Sequence, residues 1–594
     1  MIRTPLRPLA RILLARQRGE NPDAIERENL RLRHEAMRDR ARLRAESRLL
    51  LLGVFFFAAF TVIGARMGLM AASEPQEPRV ASSGADIVAQ RADIVDRNGR
   101  ILATNLVTHS LYAQPHQMID PERVAVKLVE LFPDLNHDTL VRQFTDPERR
   151  FIWIKRRLSP EQVQAVHDIG DPGLLFGPRE MRLYPNGRLA AHILGGAGFG
   201  REGVNSAEII GVAGVERQFD EYLRDPANAA DPLELSIDLS VQAAAREVLE
   251  GGMRLMNAKG ATSIILDVRT GEVISMVSLP DFDPNTRPQP LTEGDASDSP
   301  LFNRAVQGVY ELGSTFKVFT TAQAIDEGLV NAGTRIDTRG PMTWGRFRIR
   351  DFRNYGPELT VTDVMVKSSN IGTARIAMMF GGRRQQEFLR TLGFLDPLSV
   401  ELSEAPGARP LLPRQWSDIS TMTISYGHGL SASPLHLAAG YASIVNGGTL
   451  VRPTLLRQDQ PQVGERIISE HTSAVMRDML RQVVTRGTAS FGDVPGYAVG
   501  GKTGSADKPR PEGGYYRDRV MATFASFFPA HDPRYVLVVT LDEGVETSGP
   551  EPRRTAGWTA VPVAAEMIRR TAPLLGMRPV IEPRVEDAVT LVRN

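Results

Sequence analysis

The sequence predicts an α+β protein with an N-terminal transmembrane helix ahead of two folded regions. Three observations carry this. A continuous apolar run, Leu49–Ala65, follows a polar, arginine-rich start. A middle region alternates strand-like and helix-like stretches between turn signals. In the C-terminal region, strand-like runs stand at both ends of a mostly helical block, 300–490, which suggests an antiparallel sheet whose first and last elements meet.

The 594 residues provide for two or three domains with sizeable cores. A net charge of +1 gives no basic field for nucleic acid. With no cysteine, disulfide frameworks and zinc ribbons are excluded. The ten histidines show no metal-ligand spacing, so no metal is implied. Among 71 Lys and Arg, the lysines are only Lys127, Lys155, Lys259, Lys317, Lys367, Lys502 and Lys508. Arginine does not give up its proton in a protein, whereas a desolvated lysine can, so the positions of these few matter.

Residues 1–48 are polar, and Ala24–Ser47 reads as a charged, solvated helix. Leu49–Ala65, continued after Arg66 by Met67–Ala72, is long enough to span a bilayer if Arg66 snorkels. Arginines crowd before the run, and Arg79 is the only Lys or Arg between Met67 and Gln90. The positive-inside rule then puts residues 1–48 in the cytoplasm and the bulk outside, behind an uncleaved single-pass anchor at 49–72. Residues 73–90 form a Pro/Ser/Gly-containing linker, opening a pedestal region to 232. Its first hairpin runs through Ile94-Val95, a turn at Asn98-Gly99 and Ile101–Ala103. Helices are expected at Val124–Leu131 and Pro160–Ile169, a turn at Tyr184–Gly187, and a short helix from Gly214. Gly195–Gly200 is expected as a flexible loop; no Lys-Ser/Thr follows to make it a phosphate loop. No catalytic residue types cluster in this region.

From 233 to 577 the texture changes. Leu235–Asp238 leads into a helix, Ser240–Met256, followed by a hairpin of Ala261–Asp267 and Glu272–Ser278. Strands are expected at Ala522–Phe528 and Tyr535–Leu541, a packing helix at Ala560–Leu575, and a loosely ordered tail at 578–594.

The chemistry gathers in three short stretches. Glu311-Leu-Gly-Ser314-Thr-Phe-Lys317 places a serine and a lysine one helical turn apart. An amine beside a hydroxyl can make a serine nucleophilic without histidine. Lys367-Ser368-Ser369-Asn370 is the second stretch, and Gly500-Gly501-Lys502-Thr503-Gly504-Ser505 the third. Each is weak alone: a serine is often only a helix cap, and Ser505 to Lys508 repeats the first spacing by coincidence. Together, in this order, they resemble the Ser-x-x-Lys, Ser-x-Asn and Lys-Thr-Gly signature of the penicillin-recognising serine acyltransferases. Further segments bring the resemblance to class B penicillin-binding proteins. These are Arg91-Ala-Asp-Ile-Val-Asp-Arg-Asn-Gly99, with Ala92 where the family usually has glycine, Asp267–Ile274 and Asn303-Arg304. Thr362–Gly372, Gln415–Ile419, Tyr426–Leu430 with Ser433-Pro434-Leu435, and Lys502–Ala506 with Tyr515-Tyr516 are most similar to the division-specific, or FtsI, type. Leu312 and Val318 stand where proline is common and alter no reacting group.

The resemblance implies a penicillin-binding transpeptidase domain at 233–577 that cross-links peptidoglycan stem peptides ending in D-Ala-D-Ala and is acylated by β-lactams. It implies Ser314 as nucleophile, Lys317 as its base, Ser368 as proton relay and Asn370 as orienter. Lys502 and Thr503 would hold the substrate carboxylate, Gly504 would let an extended peptide lie against the strand, and the Ser314 and Ser505 N–H groups would form the oxyanion hole. No cofactor is implied. The implied partners are an FtsW-type glycan polymerase and other division proteins, at the division site of the bacterial inner membrane with the catalytic part in the periplasm. An elongation-type transpeptidase and a non-catalytic scaffold or penicillin sensor are the alternatives. Filaments on depletion would set aside the first. Residues 1–48 are too short for a sensor's signalling module, and a scaffold would not need Lys317, Ser368 and Lys502 intact.

Overall fold

The structure, a computed structural model, describes residues 9–21, 52–64, 66, 91–202, 207–510 and 512–580, with ten more between 23 and 38. The chain divides into a unit of residues 1–87 and a unit of residues 88–594. In the first, Leu9–Gln17 is a helix, and residues 52–64 are helical with Phe55, Phe57 and Phe60 exposed. Among the described residues, no helix is long and apolar enough to cross a membrane. The expected span, 49–72, runs past them at both ends. Most of the charged helix beyond 38, the linker at 73–90 and the tail from 581 also lie outside the described residues.

The second unit begins with β1 (Ile94–Val95) and β2 (Ile101–Ala113), antiparallel across a turn in which Asp96 accepts from the amides of Asn98 and Arg100, each at 2.9 Å. β3 (Ile152–Leu158) and β4 (Leu174–Leu183) pair with β2 on either side. The long β2 belongs to two cores. Leu102 and Ala103 pack with the C-terminal region, while Leu111 and Ala113 join Val124 and Leu128 of the helix Pro121–Leu131 and Phe132 just after it. The expected loop at 195–200 is instead β5 (Gly196–Glu202), paired with β6 (Ala207–Ala213). Gly195, just before the strand, serves close packing: a side chain there, at φ +75°, would strike the backbone of Ala213. β7 (Leu233–Glu234) returns parallel to β1. Arg91 and Glu216, almost fully buried, pair at 2.7 Å, and Glu216 also takes Arg182 at 2.7 Å. Removing one partner of such a buried set costs about 3–5 kcal/mol.

The C-terminal region starts with α1 (Leu239–Leu255), capped by the Asp238 carboxylate on the amides of Ser240 and Val241. Then come β8 (Gly260–Asp267), β9 (Val273–Leu279) and α2 (Lys317–Asp326). The block expected to be mostly helical also carries two small sheets, β10 (Arg335–Asp337) with β13 (Glu358–Thr360) and β11 (Met342–Trp344) with β12 (Phe347–Ile349). It continues through α3 (Val361–Lys367), α4 (Asn370–Thr391), α5 (Asp418–Ser425), α6 (Pro434–Val445) and α7 (Glu470–Arg486). β14 (Gly500–Pro509), β15 (Tyr515–Phe528), β16 (Tyr535–Asp542) and α8 (Ala560–Thr571) complete it. The five-stranded sheet runs β14-β15-β16-β8-β9, so the first and last strands meet where Tyr535 pairs with Asp267. Every residue of β8 and β16 is buried, which requires cover on both faces; α1, α6 and α8 pack against this sheet. β14 is left as an edge strand beside the turn that leads into α2.

Candidate active site

Ser314 lies in a single turn of 3₁₀-helix, Gly313–Phe316, that runs straight into α2. The turn is pinned from several sides. Thr315 Oγ1 donates to the Leu312 carbonyl at 2.9 Å, and Tyr441 donates its hydroxyl to the Thr315 carbonyl at 2.9 Å. Phe316 and Phe319 pack on Phe394, with ring centroids at 5.0 and 4.8 Å. Glu311 accepts from the Gly429 amide at 2.7 Å and from Tyr515 at 3.1 Å, which ties the 426–429 loop to the same turn. Residues 317–325 of α2 are all buried, so the Lys317 side chain leaves the turn into a dry interior.

The Lys317 amine sits at the centre of the cluster. Its Nζ lies 3.0 Å from Ser314 Oγ, 3.0 Å from Ser368 Oγ, 2.6 Å from the Ser368 carbonyl and 2.7 Å from Asn370 Oδ1. Burial, then the nearby positive charge of Lys502, holds it well below the ordinary lysine range; Asp351 works in the other direction. A neutral amine has a lone pair, so it can take the Ser314 proton.

The local backbone explains how Ser368 and Asn370 come together. Ser368 ends α3 in the left-handed region, at φ +60°, which costs a non-glycine residue about 1 kcal/mol or more. Ser369 then caps α4, with its Oγ accepting from the Gly372 amide at 2.9 Å. Helix, kink and cap in three residues turn Ser368 and Asn370 to the amine and Ser369 away from it.

Lys502 and Thr503 separate as strand alternation requires. Lys502 is fully buried and donates to Ser368 Oγ at 2.9 Å and to the Thr503 carbonyl at 3.1 Å. Burial brings it down to about 7. Its ammonium therefore faces Ser368, where a direct hold on a carboxylate in the cleft had been expected. Thr503 lies on the opposite face, its hydroxyl 2.7 Å from that of Thr488, and both line a cleft of about 700 Å³ together with Ser314, Ser368, Asn370 and Ser505. Gly504 shares the inward face with Lys502. A side chain there would meet the Leu312 carbonyl and Thr315, so the glycine's role is to let β14 approach the nucleophile's turn rather than to clear room for a peptide. Backbone meets backbone here: a carbon added to Gly313 would stand 3.0 Å from the Ser505 carbonyl oxygen. Ser505 Oγ accepts from the Ala556 amide at 2.9 Å. Lys508 is bound to Asp542 and Glu543 at 2.7 and 2.8 Å, so it offers Ser505 no amine.

Two residues of the site escaped the sequence. Asp351 accepts from the amides of Asn370 and Ile371 at 2.6 and 3.0 Å and from Ser369 Oγ at 2.6 Å. It holds the start of α4, and with it Asn370, where a negative charge also suits the helix N-terminus. It is the single acid between Asp337 and Glu358, amid arginines, the one sign of its role that the sequence carries. Thr488, just beyond α7, has no sequence sign.

The family profile "Penicillin binding protein transpeptidase domain" matches residues 261–567, and "Penicillin-binding Protein dimerisation domain" matches 86–229. The chain belongs to the penicillin-binding proteins. It is 36% identical to the "Probable peptidoglycan D,D-transpeptidase FtsI" of Caulobacter vibrioides, over 95% of this chain and 94% of that one. It is 34% identical to the "Probable peptidoglycan D,D-transpeptidase PenA" of Neisseria meningitidis and 28% identical to the "Peptidoglycan D,D-transpeptidase FtsI" of Escherichia coli K12, each over 77% of this chain and 80% of the relative.

Proposed function

We propose that this chain is a serine D,D-transpeptidase that cross-links peptidoglycan stem peptides ending in D-Ala-D-Ala, and that β-lactams acylate the same serine. The observation that carries the reading is the buried Lys317 amine, 3.0 Å from the hydroxyls of both Ser314 and Ser368.

Neutral Lys317 takes the Ser314 proton as Oγ attacks the carbonyl of the penultimate D-Ala. The Ser314 and Ser505 amides hold the oxyanion. The proton passes from Lys317 through Ser368 to the departing D-Ala amine, leaving an ester on Ser314. An amine of a second stem peptide attacks that ester, its proton returns to Ser314 Oγ by the same route, and the cross-link is released. Asn370 orients Lys317, and the Lys502 charge keeps Ser368 in the relay. The Thr503 and Thr488 hydroxyls take the terminal carboxylate, with Lys502 adding charge from behind the strand.

The same reading includes a single membrane span at 49–72, residues 1–48 in the cytoplasm and the catalytic part in the periplasm at the division site, working beside an FtsW-type glycan polymerase. The arginine asymmetry around the apolar run and the FtsI names of the relatives support it. Labelling with a fluorescent penicillin, wild type beside Ser314→Ala, tests the chemistry: label is expected on wild type alone, and an unlabelled wild type refutes it. Depletion tests the division role, with filaments expected and round cells contradicting it.

A further inference from the structure

The β11–β12 hairpin and the residues after it form a rim that the reaction above does not use. Residues 344–353 read Trp-Gly-Arg-Phe-Arg-Ile-Arg-Asp-Phe-Arg. Trp344 is opposite Phe347 and Met342 opposite Ile349. Cross-strand partners share a face, so one face of the hairpin is apolar. Its root is packed, with Ile349 buried among Ile371, Ala374 and Met422. Its tip is not: Trp344 and Phe347 are 42% and 44% exposed, and Phe352 is 80% exposed. Arg346 lies over the Phe347 ring and Arg353 over the Phe352 ring, at 5.3 and 5.8 Å. Arg346, Arg348, Arg350 and Arg353 are all exposed, and none is within ion-pair distance of a carboxylate among the described residues. The one acid of the run, Asp351, is turned inward onto α4. Phe352 and Arg353 also line the cleft that holds Ser314, so rim and cleft are continuous.

Unpaired arginines call for an anion, and exposed rings beside them for a ligand with flat apolar faces. We propose that this rim is an extended subsite for a carboxylate-bearing peptidoglycan strand. Trp344 and Phe347 lie against the sugar rings, while stem-peptide carboxylates pair with Arg346 in the turn and, around the edge of the hairpin, with Arg348 on its other face. The inference rests on the transpeptidase reading, because continuity with the cleft selects this polymer over other anions. The rim holds the strand while its reactive end reaches Ser314; a small β-lactam needs the cleft alone.

The test uses the full-length protein in detergent, with Arg346→Gln/Arg348→Gln and Trp344→Ala as separate variants. Binding of labelled, uncross-linked strands with pentapeptide stems is measured by anisotropy, beside the same strands with their carboxylates amidated. An exposed ion pair is worth up to about fivefold in affinity. The double variant is therefore expected to bind about five- to twentyfold more weakly. It should also respond less to amidation than wild type, keeping only the part due to the terminal carboxylate held at Thr503 and Thr488. Trp344→Ala is expected to weaken binding to both kinds of strand. Fluorescent penicillin should acylate all three proteins at one rate, which controls for folding. Unchanged strand affinity in the double variant, or no effect of amidation on wild type, overturns the proposal. So does arginine-dependent binding to phosphatidylglycerol vesicles without binding to strands. Failure of wild type to react with penicillin would instead refute the transpeptidase reading, whatever the strand affinity.

Discussion

Replacing Gly504 by alanine puts a methyl group where β14 lies against the nucleophile's turn. The added carbon collides with the Leu312 carbonyl and stands 2.9 Å from Thr315 Cγ2 and 3.2 Å from the Thr315 amide nitrogen. Comfortable carbon contact begins near ~3.5 Å, so strand and turn must part by roughly 0.6 Å at the Thr315 methyl and by more at the carbonyl. Overpacking of this kind costs about 1–3 kcal/mol. The parting also separates the Ser314 and Ser505 amides, the two donors proposed for the oxyanion. A misplacement near ~1 Å can cost on the order of a hundredfold in rate, so Gly504→Ala should be acylated roughly ten to a hundred times more slowly. The time course of labelling by a fluorescent penicillin measures this, with the melting temperature followed in parallel. Folded Gly504→Ala protein acylated within about twofold of wild type would refute the argument that this contact sets the geometry of the site.

Other substitutions probe the remaining groups. Lys317→Arg replaces an amine that can be neutral by a guanidinium with no deprotonated state, so it should lose acylation by about a thousandfold or more, in line with losing a general base. In wild type, the acylation rate should fall as pH drops through the lowered Lys317 value, because the amine then carries its proton. Asp351→Asn removes the charge that favours protonated Lys317, so the acidic limb of that profile should move to lower pH; a purely structural role would lower the rate or the melting temperature without moving the limb. Lys502→Met tests the cost of a buried ammonium. Between about 7 and the ordinary 10.5 the unfolded chain holds a proton that the folded chain lacks, so the stability due to this group rises with pH over that window and is lowest below it. Lys502→Met should therefore raise the melting temperature at pH 6 by a few degrees, less at pH 9, and impair turnover.

Much of this site was legible because its chemistry is carried by residue types that local sequence fixes. Ser314 and Lys317 meet through one helical turn, and Ser368 and Asn370 through a kink and a cap within three residues. The helix that follows Asp238 and the β8–β9 hairpin were equally local. What the sequence hid depends on how distant segments approach. Asp351 reaches α4 from a loop 19 residues earlier than Asn370, and nothing in its own neighbourhood shows that contact. Lys502 was expected to face the cleft; strand alternation assigns it to the inner face only once β14 is known to lie on the nucleophile's turn. Gly195–Gly200 looked like a loop because glycine is a poor strand former; Gly196 to Gly200 nevertheless lie in β5, paired with β6, and Gly195 just before it is held against the backbone of Ala213.

The central claim is that Ser314 is acylated with Lys317 as its base. Intact-mass and peptide mapping after incubation with a β-lactam tests this directly. Wild type should gain one antibiotic mass, confined to the peptide that holds Ser314, while Ser314→Ala gains none and Lys317→Arg gains it only very slowly. An adduct on another residue, or acylation of Lys317→Arg at the wild-type rate, would contradict it.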